Sequence, residues 1–228
     1  MFVITADQIG SRTDRDRASE VIGRLQADFG AAFALPPDQT SGDEIQVMIT
    51  DAQAALDVIL ALHRTGYWSV GLGIGGVRVP LPASTRQAAG SAFVGARSAV
   101  TRAKKAESRF ALVVAAGRTP PVAAASGSGT VSGSVSGAPL LGGEEVEAIL
   151  SMLLLLRQRR TTEGWEAVDL LQDGVSQRDI AATLGISAAA VSQRIKSALW
   201  RVETAVRPAL VRLLENLDRA TSETEPAA

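Results

Sequence analysis

The 228-residue chain contains no cysteine and a single histidine, His63. Disulfides, thiolate metal centres and cysteine nucleophiles are thereby excluded, and multi-histidine metal sites or serine–histidine triads are not expected. Neither sign of charge dominates. With 23 Lys and Arg against 24 Asp and Glu the formal net charge is -1, which excludes a uniformly basic protein of histone type but leaves room for a local basic face. Long apolar runs are also missing. The longest, Ala148-Ile149-Leu150 followed after Ser151 by Met152 to Leu156, falls well short of the roughly 20 residues that span a bilayer. The opening Met1 to Asp7 reaches an acid without the basic region of a secretory signal. A cytoplasmic protein with no membrane partner is the expectation. What is present is 46% hydrophobic residues, enough to bury a core.

Composition shifts sharply after residue 116. Gly117 to Gly143 holds one charge and is dominated by Gly, Ser, Ala and Pro. It reads as a flexible linker with an rms reach of about 30 Å. The expected organisation is an α+β domain over residues 1–116, the linker over 117–143, a helical domain over 144–220 and a disordered tail over 221–228.

In the first domain, Phe2 to Asp7 reads as a strand. Asp14 to Phe33 reads as a helix with Ala18, Val21, Ile22, Leu25, Phe29 and Phe33 on one face, stopped by Pro36-Pro37. A short strand at Asp38 to Ser41, a hairpin turn and an alternating strand at Glu44 to Thr50 follow. The chain continues with a helix carrying Ala52, Ala55, Leu56, Ile59 and Leu60, a strand from Trp68 to Val79, a helix from Ala88 to Ala106 and a strand from Arg109 to Ala115. The order βαββαβ, then αβ, predicts a ferredoxin-like antiparallel sheet with helices on one face. Alternation puts Phe2, Ile4, Ile45, Val47, Val70, Leu72 and Ile74 on the helix-covered side. The opposite side carries Thr5, Asp7, Glu44, Gln46, Ser69, Gly71, Gly73 and Gly75. Glycines at alternate strand positions leave room for another backbone, a ligand or a second subunit. Asp7 at a strand end and Asp43 in the hairpin turn would converge if their strands are neighbours, and such a pair suits a Mg²⁺ that also holds phosphates.

The segments Phe2 to Ser11, Ser41-Gly42-Asp43-Glu44, Val70 to Gly76 and Gly90-Ser91-Ala92-Phe93 are, in this order, similar to class III nucleotide cyclases. With Ala96-Arg97 after the last of them, the pattern resembles the SatD family still more closely. The resemblance implies metal binding by Asp7 and Asp43, with Glu44 as a further nucleotide-site candidate. Cyclases place an asparagine and an arginine on the following helix. Those positions fall on Val94 and near Ser98 here, while Arg97 is turned by about 100° from the arginine position. Without a positioned cation for the developing phosphate charge, cyclase catalysis is not expected. Gly71 to Gly76 matches a dinucleotide fingerprint in letters only, because it lies inside a strand. His63 reads as a surface or boundary residue, the three tryptophans as packing, and Lys104-Lys105 as a solvated helix end with a phosphate contact as the lesser alternative.

The strongest pattern is Gln177 to Lys196. Ile180, Ala181 and Leu184 share a face of a short helix, Gly185 permits a sharp turn, Ile186 plugs it, Ser187 caps the next helix, and Val191 and Ile195 bury its inner side. This set resembles the helix-turn-helix of sigma-factor region 4 and of many bacterial repressors. Ten Lys and Arg face eight Asp and Glu across residues 157–219, and no acid lies between Ile180 and Val202, so the basic face is local. Phosphate contacts are expected from Arg178, Arg194 and Arg201, helped by Ser187, and Gln177 is a further DNA-binding candidate. Base reading falls to Ser192, Gln193 and Lys196, with Ala188 and Ala189 against thymine methyls.

The expectation is a sequence-specific DNA-binding transcriptional regulator, acting on duplex DNA as a homodimer. Its cyclase-like domain senses a ligand such as a metal-nucleotide, or dimerises. Two alternatives stand beside it: a metal-dependent nucleotidyl enzyme with an accessory helical domain, and a non-enzymatic dimerisation scaffold. The dimer contact is expected at the open polar sheet face or on the amphipathic segments Glu144 to Arg160 and Val202 to Ala220. Residues 144–220 alone are expected to bind duplex DNA.

Overall fold

The chain forms five strands: β1 (Phe2–Gln8), β2 (Phe33–Gln39), β3 (Glu44–Ile49), β4 (Trp68–Ile74) and β5 (Phe110–Val114). In this computed structural model, residues 1–40, 42–115 and 141–222 are described. The expected linker up to residue 140, Ser41 and the tail from residue 223 lie outside the described residues. The strands form one sheet in the order β2-β3-β1-β4-β5. All neighbours are antiparallel except β4 and β5, which are parallel. With helices α1 (Ala18–Phe29), α2 (Ala52–Arg64) and α3 (Ser91–Ala103) between them, the molecule is mixed α+β. Its first six elements follow the expected βαββαβ order.

The apolar side of the sheet is as expected. Phe2, Ile4, Ile45, Val47, Val70, Leu72 and Ile74 are buried in one core with residues of α1 and α2. The glycine side is not open: α3 lies across it, so helices cover both faces. A Cβ on Gly71 would overlap the backbone of Ala96 and Val100, and one on Gly73 that of Ala92 and Ala96. The helix presents its own small residues, Ala92, Gly95, Ala96, Ala99 and Ala103, all buried. Glycine against alanine lets the two backbones close up, which takes the space expected for a ligand or a second subunit.

Several boundaries differ from expectation: α1 ends at Phe29 rather than Phe33, β2 runs from Phe33 rather than Asp38, and β4 ends at Ile74 rather than Val79. The first helix starts at Ala18 because Asp14 to Arg17 form a side-chain-bonded loop. Asp14 accepts from the Arg15 N–H at 2.8 Å, and the Gln8 side chain bridges the Arg15 carbonyl and the Arg17 N–H at 2.7 and 3.0 Å. Pro36-Pro37 lies inside β2, an edge strand whose register to β3 shifts twice. On an edge, a missing N–H costs no ladder bond.

The remaining helices are α4 (Gly143–Gln158), α5 (Thr162–Gln172), α6 (Gln177–Leu184), α7 (Ala188–Ser197) and α8 (Trp200–Ser222). They do not share one core of their own. Val146, Leu150, Leu153 and Leu154 of α4, with Leu210, Leu214 and Leu217 of α8, belong to the sheet's core. The Glu147 carboxylate accepts the Leu112 N–H at 2.6 Å and pairs with Arg102 at 2.7 Å, docking α4 on the edge strand β5. Only α5, α6 and α7 have a separate core, built from Ala167, Ile180, Ala181, Val191 and Ile195. The sheet face expected for a dimer is therefore covered within the chain, as are the core-facing leucines of α4 and α8, while Met152 of α4 stays exposed beside Leu155 and Leu156. A fragment of residues 144–220 would bare six of the leucines just named.

Candidate nucleic-acid interface and acidic cleft

The α6–α7 pair is built by its end signals. Ser176 accepts the Asp179 N–H at 3.2 Å at the start of α6. Gly185 ends that helix in the left-handed region, at φ +64°, where a side chain would be strained. The Ile186 N–H then returns to the Ala181 carbonyl at 3.0 Å, and Ser187 accepts the Ala190 N–H at 3.2 Å to start α7. Three residues thus turn the chain, with α5 packed behind both helices.

Ala188, Ala189, Ser192, Gln193 and Lys196 are exposed along one side of α7, and Arg178 is exposed on α6 with Gln177 half-buried beside it. Arg201 is exposed at the start of α8. Arg178, Lys196 and Arg201 form no ion pair with a described residue. Arg194 is different. It is half-buried and lies 3.4 Å from Glu166 of α5, so a phosphate would have to compete for it. Gln193 donates to Ser197 at 3.2 Å along its own helix.

The sheet register opposes Asp7 to Glu44, and the Gln8 N–H donates to the Asp43 carbonyl at 3.2 Å. Asp7 and Asp43 line one open cleft of about 650 Å³, together with Ser11, Arg12, Asp16 and Lys104. Glu44 does not line it; its carboxylate accepts from Thr40 at 2.7 Å. Lys104, read from the sequence as a helix end, places its Nζ 2.7 Å from Asp7 Oδ2. Arg12 and Asp16 carried no sequence signal. Val94, Arg97 and Ser98 are exposed on α3 and do not line this cleft. Among the described residues no group of three or more acids or histidines is placed to hold a metal ion.

His63 is buried rather than at the surface. Its Nε2 lies 3.1 Å from the Ser108 carbonyl and 3.1 Å from Gln158 Nε2. Burial, and then the Arg157 charge, hold its pKa down at about 4. Trp68 is in the sheet core and Trp200 packs on the α5–α7 core, as expected of packing residues. Trp165 has a further role, as a platform for three guanidiniums. Arg64, Arg157 and Arg160 lie 4.4, 4.8 and 4.2 Å from its ring centre.

No family model matches the chain, and comparison with curated proteins and with solved structures returned no match. Among the described residues no helix is long and apolar enough to cross a membrane.

Proposed function

We propose that the protein is a sequence-specific DNA-binding transcriptional regulator, with α6 and α7 as a helix-turn-helix and α7 as the helix that enters the major groove. The observation that carries this reading is the combination of the left-handed turn at Gly185, the Ser187 cap and the exposed polar side of α7. Few long polar side chains stand at the tip of α7, so base reading is modest and DNA shape contributes to specificity. The homodimer belongs to this proposal, through a surface other than the covered sheet face, as does a cytoplasmic location. The test is selection from random duplexes with the full chain, followed by salt titration of the winning site. An enriched site whose affinity falls with salt supports the reading. No enriched sequence and negligible affinity at low salt would refute it.

A second reading concerns the sheet unit, whose resemblance to class III cyclases and the SatD family makes it a nucleotide sensor. The shared cleft of Asp7 and Asp43 favours it. Two carboxylates suit a Mg²⁺ that also holds phosphates, and the Lys104 ammonium is the competing cation. Calorimetry with Mg²⁺-nucleotides on wild type, Asp7→Ala and Asp43→Ala tests it; binding that ignores both substitutions removes the site.

A further inference from the structure

The junction between the sheet unit and the α5–α7 unit holds a second cleft of about 570 Å³, walled by α1, α2, α4, α5 and α8. Four arginines line it, Arg24, Arg64, Arg157 and Arg207, against two acids, Asp28 and Asp57. Its volume is that of a small-molecule site. Each arginine already touches a carboxylate: Arg24 meets Glu20, Arg64 meets Asp169, Arg157 meets Glu203 and Arg207 meets Asp57. A guanidinium has five N–H donors, however, and each of these pairs uses only part of them.

Arg157 is the informative residue. It is 7% exposed and its Nε has no hydrogen-bond partner. Burial lowers its pKa to about 10 against the pull of Glu203, and the neighbouring Arg160, Arg207 and Arg64 push the same way as burial. Cations are thus crowded around one partly satisfied, buried guanidinium. Trp165, on the wall of the cleft, holds the Arg64 and Arg157 guanidiniums against its ring, which fixes two long side chains before any ligand arrives.

We propose that this cleft binds a small molecule bearing a diphosphate or two phosphate groups, gripped by Arg24, Arg64 and Arg207 around the Arg157–Trp165 base. Guanidiniums pair bidentately with phosphate oxygens, and the N–H donors left over from the carboxylate pairs are the ones such a ligand would take. The ligand would touch α1 and α2 on one side and Trp165 and Gln172 of α5 on the other, fixing the α5–α7 unit on the sheet unit.

The experiment is calorimetric titration of the full chain with inorganic pyrophosphate at low salt, with no DNA present. It shares no step with the duplex selection, so either can fail alone. The expected result is saturable one-to-one binding, weakened about tenfold in Arg24→Gln and in Arg64→Gln, one charge-assisted contact each. Arg12→Gln, in the Asp7 cleft, leaves the affinity unchanged. Arg24 and Arg64 are substantially exposed, so both variants fold, and a melting temperature that rises with pyrophosphate in wild type gives a second measure. Absence of saturable binding overturns the proposal, and so does an equal loss in Arg12→Gln and the cleft variants.

Discussion

Replacing Glu203 by Gln should be among the most damaging single-atom changes in the protein. Glu203 is 1% exposed and its two carboxylate oxygens receive Arg157 and Arg160, the latter at 2.7 Å. Both guanidiniums are also anchored to backbone, Arg157 to the Leu60 carbonyl at 3.2 Å and Arg160 to the Ala198 carbonyl at 3.0 Å. They therefore cannot swing out to water when the charge between them goes. Removing one member of a buried ion pair costs about 3–5 kcal/mol, mostly the penalty of the charge left behind. The amide oxygen of Gln keeps one acceptor in place, which puts the expected loss near the lower end, about 3 kcal/mol. Glu20→Gln is the control. Glu20 also sits between two arginines, Arg15 and Arg24, but its side chain is 43% exposed, and exposed pairs contribute about 0–1 kcal/mol. The assay is urea unfolding. With an m near 3 kcal/mol/M, the Glu203 variant should lose about 1 M in midpoint with m unchanged. Equal midpoints for the two variants would refute the claim that burial makes the difference.

Gly73→Ala must lift α3 off the sheet, because the new Cβ overlaps helix backbone; a loss of about 1–3 kcal/mol is expected in the same assay. His63 has a folded pKa of about 4 against 6.5 for an ordinary histidine. As pH falls below 6.5 the unfolded chain binds the proton first, so stability present above pH 6.5 is lost on the way down to 4, at most about 3 kcal/mol. His63→Gln should flatten that slope. Gly185→Val places a β-branched residue at φ +64°, costing about 1–2 kcal/mol, and should weaken binding to any selected duplex beyond the effect on folding. Within the DNA reading, Gln193→Ala changes the preferred sequence at about 1–3 kcal/mol per base pair, whereas Arg178→Ala weakens all sequences and lowers the salt slope by about one.

Local periodicity carried much of the fold. β1, β3, α2 and the helices α4, α6, α7 and α8 stand close to where alternation, caps and breakers put them. The errors are at places where a distant partner decides. Pro36-Pro37 reads as a stop, yet a strand passes through it because β2 has a neighbour on one side only. Gly71 and Gly73 signalled a close backbone approach, but nothing local says that the approaching backbone is α3 of the same chain. The apolar stripes of α4 and α8 were legible, whereas their partner, the sheet core, was not. In the acidic cleft the convergence of Asp7 and Asp43 followed from strand pairing. Lys104 reaches Asp7 only because α3 folds back across β1, and Arg194 meets Glu166 only because α5 packs behind α7. Charges that meet through tertiary packing leave no spacing to read.

The chain leaves the sheet at Ala115 and is next described at Leu141, and the Gly143 backbone lies against the Val114 side chain. The described segments on either side of residues 116–140 therefore meet at one spot on the sheet edge. Cutting the chain between them has a consequence. Residues 1–115 and 141–222 would each bare half of one shared core, so the two pieces, made separately, should reassociate as a split protein held together by the leucines of α4 and α8.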